Sequence, residues 1–131
     1  MPDEKRVVLV ADDEPDAREY VRRILEDDFR VVDVPDGARA LEAAGSHPPA
    51  LIILDLQMPN KDGLATLFEL RQNPTTKSIP VVLLTAVGER TGVHFSADAI
   101  KEYMGEEPQA YIEKPVDAAL LLETVRRLIG A

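Results

Sequence analysis

The sequence predicts an α/β domain in which five parallel strands alternate with five helices, giving a doubly wound, three-layer α/β/α arrangement. Three observations carry this. The runs Val7 to Ala11, Leu51 to Leu54 and Val81 to Leu84 are apolar without polar alternation, as expected of strands buried on both faces of a parallel sheet. Stretches with the 3.6-residue apolar period of an amphipathic helix separate the strands, so each crossover is right-handed and brings the next strand in parallel. Four strands then end on Asp12-Asp13, Asp55, Thr85 and Lys114, and in such folds ligands bind beyond the carboxyl ends of the strands.

Taken in order, Val7 to Ala11 runs into Asp12-Asp13-Glu14, and Pro15 suits the first turn of a helix. Ala17, Val21, Ile24 and Leu25 line one face of that helix, with Arg18, Arg22, Arg23 and Glu26 elsewhere. Arg30 to Val34 is a second, weaker strand broken at Pro35. Asp36 caps a helix through Leu41 to Ala44, ended by Gly45 and Pro48-Pro49. The central strand, Leu51 to Leu54, closes on Asp55. Met58 to Gly63 is turn chemistry, and Leu64, Leu67 and Leu70 give the third helix its core stripe. Pro80 opens the fourth strand, which Thr85-Ala86 closes. A polar, glycine-containing loop then leads to a short fourth helix, capped by Ser96 and ending near Met104-Gly105. Ala110 to Ile112 is the fifth strand, ending in Glu113-Lys114-Pro115. Asp117 caps the last helix, whose core face carries Ala118, Leu121, Leu122, Val125, Leu128 and Ile129.

A chain of 131 residues is expected to form one domain with a sizeable core, and no linker or repeat divides it. With 24 acidic against 15 basic residues the net charge is −9, which argues against direct nucleic-acid binding. The absence of cysteine removes disulfide, thiolate and cysteine–metal chemistry and fits a reducing compartment. The first apolar run is too short for a signal-peptide core or a membrane span, so a cytoplasmic protein with no membrane insertion is expected.

Taken singly, the strand-end residues have ordinary readings. Asp55 is either a carboxylate at the mouth of a cleft or a turn residue accepting a backbone hydrogen bond. Asp12-Asp13-Glu14 before Pro15 is more often a dipole-matched helix start than a metal site. Thr85 is more often a strand-end residue, and Lys114 a solvated one. Their joint occurrence at four converging strand ends singles them out. Three carboxylates brought together repel, and a hard cation or a raised pKa relieves them. Asp12, Asp13 and Asp55 supply the oxygen ligands that Mg2+ prefers. Asp55 is then placed to attack phosphorus and form an aspartyl phosphate. Thr85 donates a hydroxyl hydrogen bond to one phosphoryl oxygen and Lys114 pairs with another.

Together, Asp12-Asp13, Leu54-Asp55-Leu56-Gln57-Met58-Pro59, Thr85-Ala86 and Lys114-Pro115 resemble the receiver domain of two-component response regulators, in the manner of the chemotaxis regulators. The resemblance covers nearly the whole chain. It implies a flavodoxin-like sheet of order 2-1-3-4-5, with Asp55 as the phosphoacceptor and Asp13 as the direct Mg2+ ligand. It further implies that Asp12 acts largely through water and that the backbone carbonyl of Gln57 completes the metal site. Thr85 becomes the switch hydroxyl, Lys114 the phosphate-pairing lysine and Tyr111 the switch aromatic, and the Lys114–Pro115 bond is expected cis. Tyr111 reads equally as a partly buried strand aromatic. The implied donor is a sensor histidine kinase or a histidine phosphotransfer protein. The implied output is a protein-interaction surface around the fourth helix, fifth strand and last helix that changes its affinity for a downstream protein target not identified by sequence. A signalling switch is implied rather than an enzyme, as a monomer or a weak phosphorylation-dependent dimer.

The sequence departs from the family in one region. Thr85 and Lys114 are 29 positions apart, longer than the family pattern by roughly two helical turns. The excess falls in 87–109, where Met104-Gly105-Glu106-Glu107-Pro108-Gln109 replaces the usual run rich in alanine and glycine. The catalytic ends are therefore expected to be ordinary and the output face unusual. His94 reads as a surface loop residue, since His47 belongs to a distant loop, and Phe95 reads as a loop anchor. Gln57 and Val87 are expected to flank the path of the hydrolytic water and to set the lifetime of the aspartyl phosphate. The chain is expected to be a single receiver domain over 1–131 without an output domain. Two alternatives stand beside the phosphoacceptor. One is an interaction adaptor independent of phosphorylation. The other is an Asp-dependent phosphatase, disfavoured because Gln57 stands where that chemistry wants a second acid.

Overall fold

The computed structural model describes residues 5–58, 62–86 and 109–130. Its strands are β1 (Val7–Ala11), β2 (Arg30–Val34), β3 (Leu51–Asp55), β4 (Val81–Ala86) and β5 (Ala110–Lys114). They form one sheet of order β2-β1-β3-β4-β5 in which every pair is parallel. Helices α1 (Pro15–Leu25), α2 (Gly37–Ser46) and α3 (Gly63–Gln72) cross between strands, and α4 (Ala118–Ile129) follows β5. The expected helix between Ser96 and Gly105 lies outside the described residues, as do Val87, His94 and Phe95.

The alternation of side chains along each strand divides the core into two layers. On one face Val8, Val10, Leu51, Ile53, Val82, Leu84 and Ile112 pack against Val21 and Leu25 of α1 and Leu121, Val125 and Ile129 of α4. On the other, Leu9, Ala11, Ile52, Leu54, Val81 and Leu83 meet Ala40 and Ala44 of α2 and Leu67 and Leu70 of α3. β3 is buried along its whole length, as its unbroken apolar run required.

The caps expected at Asp36 and Asp117 form, each carboxylate accepting a backbone N–H at 2.8 Å, from Arg39 and Leu120. Asp62 caps α3 in the same way, through Ala65 at 2.8 Å. Two details differ from expectation. α2 continues through Gly45 to Ser46, because that glycine has open space around it and nothing forces a turn there. In α4, Ala118 is exposed and Thr124 is buried, its hydroxyl donating back to the Leu120 carbonyl at 2.7 Å, which lets a polar side chain face the core. Among the described residues no helix is long and apolar enough to cross a membrane.

Candidate functional site

The carboxyl ends of β1, β3 and β5 bring Asp12, Asp55 and Lys114 together. Asp12 and Asp55 continue the even- and odd-numbered positions that face α1 and α4, Val8–Val10 on β1 and Leu51–Ile53 on β3. Lys114 does the same beyond Ile112 and reaches back past the end of β4. Its ammonium lies 3.1 Å from Asp12 Oδ2 and 3.2 Å from Asp55 Oδ1. Asp13 joins them, and one carboxylate oxygen from each of Asp12, Asp13 and Asp55 lies within 4.8 Å of the others.

Asp12 uses its two carboxylate oxygens differently. Its Oδ1 accepts the Glu14 backbone N–H at 2.9 Å, organising the entry to α1, while Oδ2 faces Lys114. Asp12 is 1% exposed and Asp55 is buried, whereas Asp13 is exposed. Three carboxylates against one ammonium leave two negative charges, the amount a divalent cation neutralises. The all-oxygen donor set, partly open to solvent, fits a hard ion such as Mg2+.

The electrostatics of the protein without metal show the same demand. Burial pushes the Asp55 carboxyl from its ordinary 3.8 up to about 6, and the Asp12 charge adds to that; the Lys114 ammonium opposes the rise without cancelling it. Burial on its own would lower Lys114, but the Asp55 and Asp12 carboxylates outweigh it and hold the ammonium above the usual lysine range.

Thr85 is buried at the end of β4, one residue beyond the Leu84 that pairs with Asp55. Its alternation places it on the α2/α3 face, with Leu83 and not with Leu84. Tyr111 packs against that same layer, and its hydroxyl oxygen is enclosed. Thr85 pairs with Glu113, two residues after Tyr111, so the two expected switch residues share one face of adjacent strands. Gln57 is exposed two residues beyond Asp55. Pro59, Asn60 and Lys61 lie outside the described residues. The Lys114–Pro115 bond is cis.

Gly63 has a part in the site that the sequence did not show. A β-carbon there would stand 2.5 Å from the Asp55 carbonyl oxygen and 2.9 Å from Leu56 Cα, and the Gly63 N–H donates to the Leu56 carbonyl at 2.8 Å. The start of α3 therefore lies directly on the backbone that carries Asp55, at a distance only glycine permits. Gly63→Ala is expected to force the two segments apart, costing on the order of 1–3 kcal/mol and slowing any reaction at Asp55. Chemical denaturation with the same midpoint as wild type would refute this.

The response regulator receiver domain family matches residues 8–126. The response regulator Rre1 of Synechocystis is 38% identical over 125 residues, covering 94% of this chain and 51% of Rre1, so the chain spans about half that relative's length. The signal receiver domain of a signal transduction histidine kinase from Syntrophus aciditrophicus superposes with a TM-score of 0.80 at 29% identity, over 95% of this chain and 89% of that one. The receiver domain of sensor histidine kinase PA1611 from Pseudomonas aeruginosa, with a magnesium ion coordinated in its active site cleft, shares the fold at a TM-score of 0.81 and 23% identity, over 97% of this chain and 99% of that one.

Proposed function

The chain belongs to the response regulator receiver domain family, and on that premise we propose that it is a signalling switch whose Asp55 accepts a phosphoryl group from a phosphohistidine donor. The observation that carries this reading is the meeting of three carboxylates with Lys114 bridging two of them. The Asp12, Asp13 and Asp55 carboxylates, with the backbone carbonyl of Gln57, would hold Mg2+. When bound, that ion supplies charge neutralisation to a phosphoryl group in transfer.

The chain's own residues do the rest. One Asp55 oxygen forms the new P–O bond as the donor's P–N bond breaks, and the released imidazole takes a proton from solvent. Lys114, already within hydrogen-bond reach of Asp55, pairs with a phosphoryl oxygen once the phosphoryl group is in place. The Thr85 hydroxyl is drawn toward another. Because Tyr111 shares its face, movement of Thr85 changes the space that the tyrosine occupies, and the signal passes outward along β4 and β5. A sensor histidine kinase or a histidine phosphotransfer protein supplies the phosphoryl group, and a downstream protein reads the altered face.

Incubation with a small-molecule phosphodonor and Mg2+ is expected to add one phosphoryl group by intact mass, and a chelator to prevent it. A folded protein that gains no mass from either a small donor or a phosphorylated kinase would overturn the reading in favour of an adaptor independent of phosphorylation. Steady turnover of a phosphate ester would instead indicate a phosphatase.

A further inference from the structure

Arg18 lies outside the carboxylate cluster yet touches its backbone. Its Nη1 donates to the Asp12 carbonyl oxygen at 2.8 Å, and its Nε donates to Asp33 Oδ2 at 2.8 Å. Asp33, on β2, is held from its other side by Arg22, whose Nη2 meets Oδ1 at 2.5 Å and whose Nη1 donates to the Val31 carbonyl at 3.0 Å. The Arg18 side chain is only 18% exposed, so this is a partly buried link between α1, β2 and the acidic turn.

The other polar atoms of Asp12 are also engaged. Its N–H donates to the Val34 carbonyl at 3.2 Å, and its two carboxylate oxygens meet Glu14 and Lys114. Asp13 differs, since among the described residues nothing hydrogen-bonds its exposed carboxylate. Repulsion from Asp12 and Asp55 favours swinging that carboxylate into water. The peptide joining Asp12 to Asp13 is planar, so a bond to the Asp12 carbonyl oxygen fixes the amide of Asp13 as well.

We propose that Arg18, braced by Asp33, is a positioning residue for the cation site: it orients the Asp12–Asp13 peptide and so keeps the Asp13 carboxylate facing the cleft. The inference rests on the reading of Asp12, Asp13 and Asp55 as an Mg2+ site. A guanidinium suits the task because its planar fork serves a carbonyl and a carboxylate together, which a lysine ammonium on a flexible stem does not.

The sign of the effect separates positioning from charge. By Coulomb's law alone, removing a cation near the site tightens Mg2+ binding. Loss of positioning weakens it, roughly tenfold on the scale of other groups that orient metal ligands. The experiment is calorimetric titration of the purified protein with MgCl2, comparing wild type, Arg18→Ala and Arg18→Lys, with thermal midpoints in chelator. The expected result is about tenfold weaker binding in Arg18→Ala, and weaker binding also in Arg18→Lys, which keeps the charge and loses the fork. Arg18→Lys carries the test if the alanine variant fails to fold. Unchanged or tighter Mg2+ binding in the folded variants overturns the proposal, including the case in which only the metal-free midpoint falls, which would mark Arg18 as a brace between α1 and β2. Wild type that binds no Mg2+ would overturn the Mg2+ site and this inference with it.

Discussion

Asp55→Asn is expected to abolish phosphoryl acceptance and at the same time to stabilise the metal-free protein at neutral pH. The first effect is chemical: an amide keeps the shape of the side chain and loses the carboxylate oxygen that attacks phosphorus, so the mass gain with phosphodonor and Mg2+ is expected to disappear. The second follows from burial. The folded protein holds the Asp55 carboxyl at about 6 against an ordinary 3.8, so between these values the folded state binds more protons than the unfolded state. Stability associated with Asp55 is therefore fully present below about 3.8 and is lost as pH rises through about 6. The interval is worth about 3 kcal/mol, or roughly 10 °C in thermal midpoint for a domain of this size. The amide escapes that penalty while still accepting a hydrogen bond from Lys114.

In chelator, the midpoint of Asp55→Asn is thus expected to exceed that of wild type at pH 7 and to converge with it toward pH 4. Mg2+ raises the wild-type midpoint by mass action and closes the gap from the other side. A difference between the two proteins that stays flat from pH 4 to 7 would mean that Asp55 carries no burial penalty. Persistence of the mass gain in the variant would place the acceptor elsewhere.

Lys114→Met has the opposite consequence for stability. Among the described residues the ammonium is the one cation within salt-bridge distance of Asp12 and Asp55, and both carboxylates are nearly inaccessible to water. Removing one partner of a fully buried pair costs about 3–5 kcal/mol. The Lys114 side chain keeps 25% of its exposure, and water can partly replace it, so about 2 kcal/mol is expected in chelator. The loss falls within the range where the Asp55 and Asp12 carboxylates keep Lys114 protonated, and it fades as pH rises through the raised lysine pKa.

The rate of phosphorylation is expected to fall by about 10²–10³, the scale of losing one preorganised charge from a transferring group. Mg2+ binding survives, because a positive neighbour has been removed from a site that attracts cations. Time-resolved mass measurement at saturating Mg2+ decides the point. A near-wild-type rate would restrict Lys114 to holding the resting carboxylates in place.

Much of this was legible in the chain. Leu51 to Leu54 announced a strand with no solvent-facing side, and its terminal Asp55 marked the edge at which ligands meet such a sheet. The residues of the cluster were legible because parallel strands bring Asp12, Asp13, Asp55 and Lys114 from distant parts of the chain to one edge of the sheet. The role of Gly63 was not, since a glycine after Asp62 reads as turn chemistry until the Asp55 carbonyl oxygen is seen 2.5 Å from where a β-carbon would stand. Arg18 and Asp33 were also invisible as partners, being polar residues on different elements with no spacing rule to link them. The assignment of Ala118 to the core of α4 failed for a related reason: helical period names a face, and only the sheet beneath decides how far toward the amino end that face is covered.

The sequence by itself determined the layers and singled out Asp12, Asp13, Asp55, Thr85 and Lys114 at the strand ends as the residues to watch. These follow from short-range period and from the cost of burying charge, both properties of local composition. Tertiary structure alone decided the distances: which carboxylates Lys114 bridges, how closely the start of α3 approaches the backbone of Asp55, and that Arg18 grips the turn holding the two acids. Such facts depend on contacts between residues far apart in the chain, and Coulomb and hydrogen-bond energies change steeply over the last ångström, which no spacing in sequence encodes.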